Sequence, residues 1–261
     1  MTNGKFIMTL FLLTFFVLKQ SSGQIAKSLS FYKKIKDYDL SSVLNPDSIT
    51  DDGNEKQRRP ELLGFIDSSF QRFQIHFTSF VKSKSNPYEY VIIGKTKIKD
   101  NICNFKGTIT VVAAIYDTTS LMRDIGFPTY REGNITSKVM LYEDKKQYGS
   151  GTITGELSTD IYFDDKGKIY YSALMLVADG YSNNQFKGSW TSYNTGKTKK
   201  CNWGDFRIPE SDGLDGGTGE FMPQEKYLDN GWRDYYNYLI GGLDESKRLE
   251  AERIENIKWW R

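Results

Sequence analysis

The chain has 261 residues, 15% of them aromatic, with 35 Lys or Arg against 33 Asp or Glu and a formal net charge of +2. That length fits one domain, or one domain with appendages. A chain so close to neutrality lacks the electrostatic footprint for a phosphate backbone, so nucleic acid is not an expected partner.

In chain order, the first feature is a targeting segment. Lys5 gives a positive start, Phe6 to Leu18 form an apolar run, and Ser21-Ser22-Gly23 supply small residues for cleavage before Gln24. Residues 1–23 therefore read as a signal peptide. The apolar run is shorter than the roughly 20 residues a spanning helix needs. No later segment qualifies as a membrane span, and no cysteine stands near the cleavage site to carry a lipid. Loss of Lys5 and Lys19, with no acid, leaves 33 basic against 33 acidic residues and a net charge of zero. The expected product is a soluble, monomeric, exported protein, periplasmic or secreted.

Residues 24–60 form an N-terminal arm. A short helical pattern at Leu29 to Ile35 gives way to turn signals at Asn45-Pro46-Asp47 and Asp51-Asp52-Gly53-Asn54. The arm either packs on the domain or stays partly mobile.

Residues 61–210 read as an antiparallel β domain. Between Ser69 and Val81, Phe73, Ile75 and Phe77 alternate with Arg72, Gln74, His76 and Thr78. Further strands are expected at Tyr88 to Ile98, Phe105 to Ile115, Lys138 to Tyr142, Gly151 to Phe163, Ile169 to Val177, Gln185 to Tyr193 and Lys199 to Ile208, with a longer connection from Asp117 to Asn134. Asp164-Asp165-Lys166-Gly167 and Asn194-Thr195-Gly196-Lys197 are hairpin-type connections. No helical pattern separates the strands, which excludes a parallel α/β fold. Gly107, Gly155 and Gly188 each sit on an apolar strand face between large side chains, as bends or close backbone approaches require. The fold class is mainly β: an antiparallel meander curling into a barrel-like or strongly curved sheet.

Residues 211–261 change composition. Asp212 to Gly219 is a Gly/Asp-rich connector, and Tyr227, Leu228, Trp232, Tyr235 and Leu239 then recur near helical spacing. Gly241-Gly242 interrupts, and a charged second helix runs from Asp244 to Trp260. This C-terminal helical extension is expected across the barrel mouth or on its outer wall.

Candidate chemistry is sparse. Gly94-Lys95-Thr96 lacks the upstream glycine of a P-loop and lies in a strand. His76 is the only histidine, so a site with two or more histidines is ruled out, and no Gly-x-Ser-x-Gly elbow is present. Cys103 and Cys201 are the only cysteines, and in an oxidising compartment an isolated pair implies a structural disulfide closing a loop of about 100 residues. Asp212, Asp215 and Glu220, interleaved with glycines, are the sharpest set of hard oxygen ligands and would suit calcium; no other cofactor is implied. Asp160, Asp164, Asp165 and Glu156 cluster near one strand end and are the carboxylates from which glycoside-hydrolase chemistry would draw. Arg72 and His76 on a polar strand face, with Tyr193 and Trp203 near strand ends, are candidate ligand contacts.

Several stretches together resemble an uncharacterised family of exported, β-rich bacterial proteins with no assigned activity. They are Leu63 to Ile66, Gln71 to Phe77, Gly94 to Lys99, Asn101 to Gly107, Cys201 to Pro209 and Asn230-Gly231-Trp232. The resemblance implies that arm, sheet and tail form one unit, and it transfers no catalytic residue. The meander is also loosely similar to small ligand-binding β-barrels, an analogy of fold alone. The expectation is a non-enzymatic binding or accessory protein of the bacterial envelope, whose partner is a small ligand, a glycan or an envelope protein. The alternatives are a carbohydrate-active enzyme using paired Asp/Glu, or a structural protein acting through its C-terminal helices.

Overall fold

Alternation of apolar and polar side chains from Phe73 onward becomes a run of long antiparallel strands in a computed structural model that describes residues 31–51, 55–116, 126, 129–239 and 244–261. The signal peptide 1–23, the arm before residue 31, the Asp52-Gly53-Asn54 turn, most of the 117–128 connection and the Gly241-Gly242 interruption lie outside the described residues.

The strands are β1 (Ser48–Thr50), β2 (Lys56–Arg58), β3 (Leu63–Ile66), β4 (Gln71–Arg72), β5 (Gln74–Lys82), β6 (Glu89–Ile98), β7 (Asn101–Tyr116), β8 (Arg131–Glu143), β9 (Gly151–Phe163), β10 (Ile169–Tyr171), β11 (Asn183–Ser192) and β12 (Thr198–Asp205). Nine of them form an antiparallel meander in the order β4-β3-β12-β11-β9-β8-β7-β6-β5, curled into a half-barrel; β10 adds to β9 alone, and β1 pairs with β2. β4 and β5 are parts of one run of chain interrupted at Phe73, so a single segment serves both ends of the sheet. The Phe73 N–H donates to the Gly64 carbonyl at 2.9 Å, which ties the ends together at that point.

The curl depends on glycine where the sequence pattern placed it. Gly155 and Gly188 face each other in the β9–β11 register, and the Phe186 ring lies over both. A Cβ on either would collide with that ring and with the neighbouring strand's carbonyl, Lys187 at Gly155 and Thr154 at Gly188. Gly107 is pressed in the same way against the Met140 backbone. Inside the curl, Phe186 stacks on Trp203 at 3.5 Å and Phe105 meets Phe77 edge-on at 5.9 Å. With Phe73, Tyr90, Ile109, Leu141 and Ile153 these rings form a continuous core that fills the interior.

The described part of the N-terminal arm, from residue 31, is packed on the domain. Residues 31–35 and Ser41–Leu44 are helical, and Phe31, Ile35, Leu40, Val43 and Leu44 join the main core. Phe31 meets Phe163 edge-on at 4.9 Å, and the Leu40 N–H donates to the Tyr90 hydroxyl at 2.8 Å. The arm thus closes one end of the curled sheet. The tail takes the outer wall instead: a 3₁₀ turn (Glu225–Asn230) and a helix (Arg233–Leu239) cover β3, where Leu63 and Phe65 form a second core with Phe221, Leu228 and Trp232.

Two expectations are corrected here. The Ile169 to Val177 strand stops at Tyr171: the Ser172 N–H still donates to the Asp160 carbonyl at 3.0 Å, but the Asn183 side chain takes the place of the return bond. Its amide donates to the Asp160 and Ser172 carbonyls at 2.9 and 3.1 Å and its oxygen accepts from the Asp160 N–H at 2.8 Å, so the chain turns away with Met175 and Val177 exposed. No disulfide joins Cys103 and Cys201, which are both buried free thiols. Cys103 lies on β7 and Cys201 on β12, with β8, β9 and β11 between them in the sheet. The two thiols are therefore not hydrogen-bonded neighbours in the sheet, and each is enclosed by its own surroundings as a free, buried side chain.

Candidate functional site

Beyond the Gly64–Phe73 tie the two ends of the sheet diverge, and the chain from Arg58 to Leu62 rises along the seam beside β5. A small cavity of about 120 Å³ remains there, lined by Asn45, Arg58, Arg59, Glu61 and His76 among others. Across Arg58, Arg59 and Glu61 it continues into a groove of about 710 Å³ between the seam and the C-terminal tail. That size lies within the ~300–1,000 Å³ typical of small-molecule sites.

The floor of the seam is a buried polar network. Arg59 Nε donates to Asp205 Oδ1 at 2.7 Å and Nη1 to Asn45 Oδ1 at 3.0 Å. The Tyr171 hydroxyl and Asn184 Nδ2 donate to Asp205 Oδ2 at 2.9 and 3.0 Å, and Thr159 Oγ1 donates to Asn184 Oδ1 at 2.7 Å. Burial, with the Asp205 charge, pushes the Tyr171 phenol far above its ordinary value, so it remains a donor.

The opposite wall is the tail. Arg72 Nη1 and Nη2 donate to the two Glu255 carboxylate oxygens at 2.7 and 2.6 Å, and the guanidinium lies 5.3 Å from the Trp232 ring centre and 5.5 Å from that of Tyr235. Trp232 Nε1 donates to the Phe70 carbonyl at 2.8 Å. Near the C-terminus Trp260 stacks on His76, ring centres 3.8 Å apart and 13° from parallel. His76 Nδ1 in turn lies 2.9 Å from Glu61 Oε2.

Of the four ligand contacts expected from sequence, Arg72 lines the large groove and His76 the small cavity it joins. Trp203 does not: it is 1% exposed, because β12 turns it inward opposite Gly64, into the stack of Phe186 and Phe73. Tyr193 lies at the far end of the sheet, beside the β11–β12 hairpin, with the Lys145 ammonium 5.1 Å over its ring. Sequence reasoning missed Arg59, Glu61, Tyr235, Tyr238, Trp259 and Trp260. The adjacent tryptophans at the chain end were a visible signal, but their partner lies some 180 residues earlier.

The connector proposed for calcium closes around an internal cation. Arg207 Nη1 donates to Asp215 Oδ2 at 2.6 Å, and Nη2 faces the carbonyls of Gly217, Thr218 and Gly219 at 3.1, 3.1 and 2.7 Å. Asp215 Oδ1 accepts from the Gly217 and Met222 N–H groups, Asp212 points to solvent, and Glu220 lines the groove. Among the described residues no three His, Cys, Asp or Glu side chains converge as a metal-binding group. The hairpin carboxylates are occupied locally: Asp160 accepts from Asn134, and Asp164 caps its own turn through the Lys166 and Lys168 N–H groups.

At the end of the sheet away from the arm, Glu143 is buried and accepts from Thr96 Oγ1, from the Gly151 N–H at 2.7 Å and from Trp190 Nε1 at 2.8 Å. Both thiols are held protonated, Cys103 pushed up to about 11 and Cys201 well above the ordinary thiol value, by burial first and then by the Glu143 charge. Burial also raises the Glu143 carboxyl above its ordinary value despite its three donors. A carboxyl raised in the native state stabilises fully below the ordinary glutamate range and loses that contribution as pH rises toward the native value. The urea midpoint of the wild-type protein should therefore fall relative to that of Glu143→Gln as pH rises from that range to neutrality. Parallel pH profiles for the two proteins would refute a raised Glu143.

No family model, curated protein or solved structure matches this chain. The site is therefore read from its own geometry. Among the described residues no helix is long and apolar enough to cross a membrane.

Proposed function

We propose that the protein is an exported, non-enzymatic binding protein of the bacterial envelope, with its ligand in the groove between the β3–β5 seam and the C-terminal tail. One observation carries this reading: the interior of the curl is filled, and the roomy concavity lies outside it, walled by Tyr235, Tyr238, Trp259 and Trp260. Export is supported by the Lys5 to Gly23 targeting pattern.

Binding is favoured over paired-carboxylate catalysis by how the groove acids are held. Glu255 is bound by Arg72, and Glu61 by Arg58 and His76. Glu220 is left as the one groove carboxylate without an ion pair among the described residues, and glycoside hydrolysis needs two working carboxyls.

Native mass spectrometry of the protein taken from its own host's envelope fraction tests the reading. The expected spectrum shows added mass that leaves on denaturation and is lost in a Tyr238→Ala variant. Added mass retained in that variant would place the ligand elsewhere, and a bare chain would argue against a resident ligand.

A further inference from the structure

Resting on that reading of the groove, we infer that its ligand is a neutral oligosaccharide. The argument comes from which polar groups are already satisfied. Every groove cation has an acidic partner: Arg58 with Glu61 at 3.4 Å, Arg59 with Asp205 at 2.7 Å, and Arg72 with Glu255 at 2.6 Å. Among the described groove residues an anionic ligand would have to displace one of these partners, and it would meet the Glu220 carboxylate. Burying a charge without a partner is costly enough to exclude phosphorylated, sulfated or uronic-acid ligands.

The neutral polar groups show the opposite pattern. Gln57, Gln74, Tyr235 and Tyr238 line the groove, and the amide or hydroxyl of none of them has a hydrogen-bond partner among the described residues. An amide offers a donor and an acceptor side by side in one plane, and a phenol offers one of each. Those are the requirements of vicinal hydroxyls, which both donate and accept across adjacent carbons.

Rings supply the rest of the recognition. Tyr181 and Phe206 lie on the sheet side, and Tyr235, Tyr238, Trp259 and Trp260 on the tail side. A pyranose carries its hydroxyls around the edge and presents C–H groups on its faces, which suit aromatic platforms. Trp260 is held in position by its stack on His76, so this platform is pre-organised. A purely apolar ligand would leave the amides and phenols desolvated without partners. A volume of about 710 Å³ accepts several linked sugars rather than one.

The test is isothermal titration of the full mature chain with neutral oligomers of glucose (β-1,4 and α-1,4), xylose, mannose and N-acetylglucosamine. Oligogalacturonate and hyaluronan fragments serve as charged counterparts. The expected result is binding of at least one neutral oligomer and neither acidic one. Gln74→Ala and Tyr238→Ala, both at sites that are not fully buried, should each weaken it by roughly tenfold or more while circular dichroism stays unchanged. Binding of acidic oligomers alone, or affinity unmoved by both substitutions, overturns the inference. Failure of every oligomer, together with a non-carbohydrate mass on the host-derived protein that Tyr238→Ala removes, overturns the sugar class and leaves the groove reading standing. Failure of every oligomer with a bare host-derived protein overturns both.

Discussion

Asp205→Ala should destabilise the protein by about 3–5 kcal/mol, the range for breaking a buried ion pair from one side. The Asp205 side chain is 0% exposed and the Arg59 side chain 7%, so removal of the carboxylate strands a guanidinium that water can hardly reach. The loss is not confined to one bond. The Tyr171 hydroxyl would lose its Asp205 Oδ2 acceptor, and Asn184 Nδ2 would keep only its longer bond to the Leu44 carbonyl at 3.4 Å. Chemical denaturation of wild type and variant measures the effect directly. The double variant Arg59→Met/Asp205→Leu separates charge from packing, because replacing both members by apolar side chains of similar volume removes the stranded ion. It should recover the part of the loss that the stranded ion causes, while the part owed to the Tyr171 and Asn184 donors remains. If Asp205→Ala costs less than about 1 kcal/mol, the network is not a buried anchor and water reaches Arg59 through the seam.

How much of this was legible in sequence follows from the range of each signal. The β9 expectation, Gly151 to Phe163, coincides with the observed strand, because strict alternation is a local property of a half-buried strand. The glycines at 155 and 188 were readable for the same reason: a missing side chain between large apolar neighbours marks a close approach wherever its partner lies. The seam was not readable. It exists because the residues on either side of Phe73 pair with different strands, and nothing in Gln71 to Lys82 states that its first two residues belong to the opposite end of the sheet. The connector illustrates a second limit. Glycines and acids that can wrap a cation do wrap one, but the cation is Arg207, whose guanidinium substitutes for an ion that composition alone would also allow. The two cysteines show a third. Their number and the expected compartment argue for pairing, whereas where each thiol ends up buried is set by the whole sheet.

Arg72→Met should uncouple the tail from the sheet without unfolding the sheet. Arg72 and Glu255 join β4 to the last helix (Glu245–Glu255), each side chain only 14% exposed, through two parallel hydrogen bonds. Truncating one member of such a pair costs about 2–5 kcal/mol, much of it from the charge left behind. Methionine keeps an apolar stem over Trp232 and Tyr235, so the second core, held by Leu63, Phe65 and Trp232, is preserved. The cost therefore falls on docking of the final helix. Hydrogen exchange should show amides of residues 245–261 losing protection while β6 to β9 keep theirs. Trp260 should leave the His76 ring at the same time, because it belongs to the segment that undocks. The charge-reversed pair Arg72→Glu/Glu255→Arg should restore protection, an outcome that loss of arginine packing alone would not give. On the proposed reading, affinity for the groove ligand should fall with tail protection in Arg72→Met and return with it in the reversed pair, even though the Arg72 charge itself is spent on Glu255. Unchanged protection in Arg72→Met would show that the apolar core docks the tail unaided, and the groove would then owe its outer wall to Trp232 rather than to this ion pair.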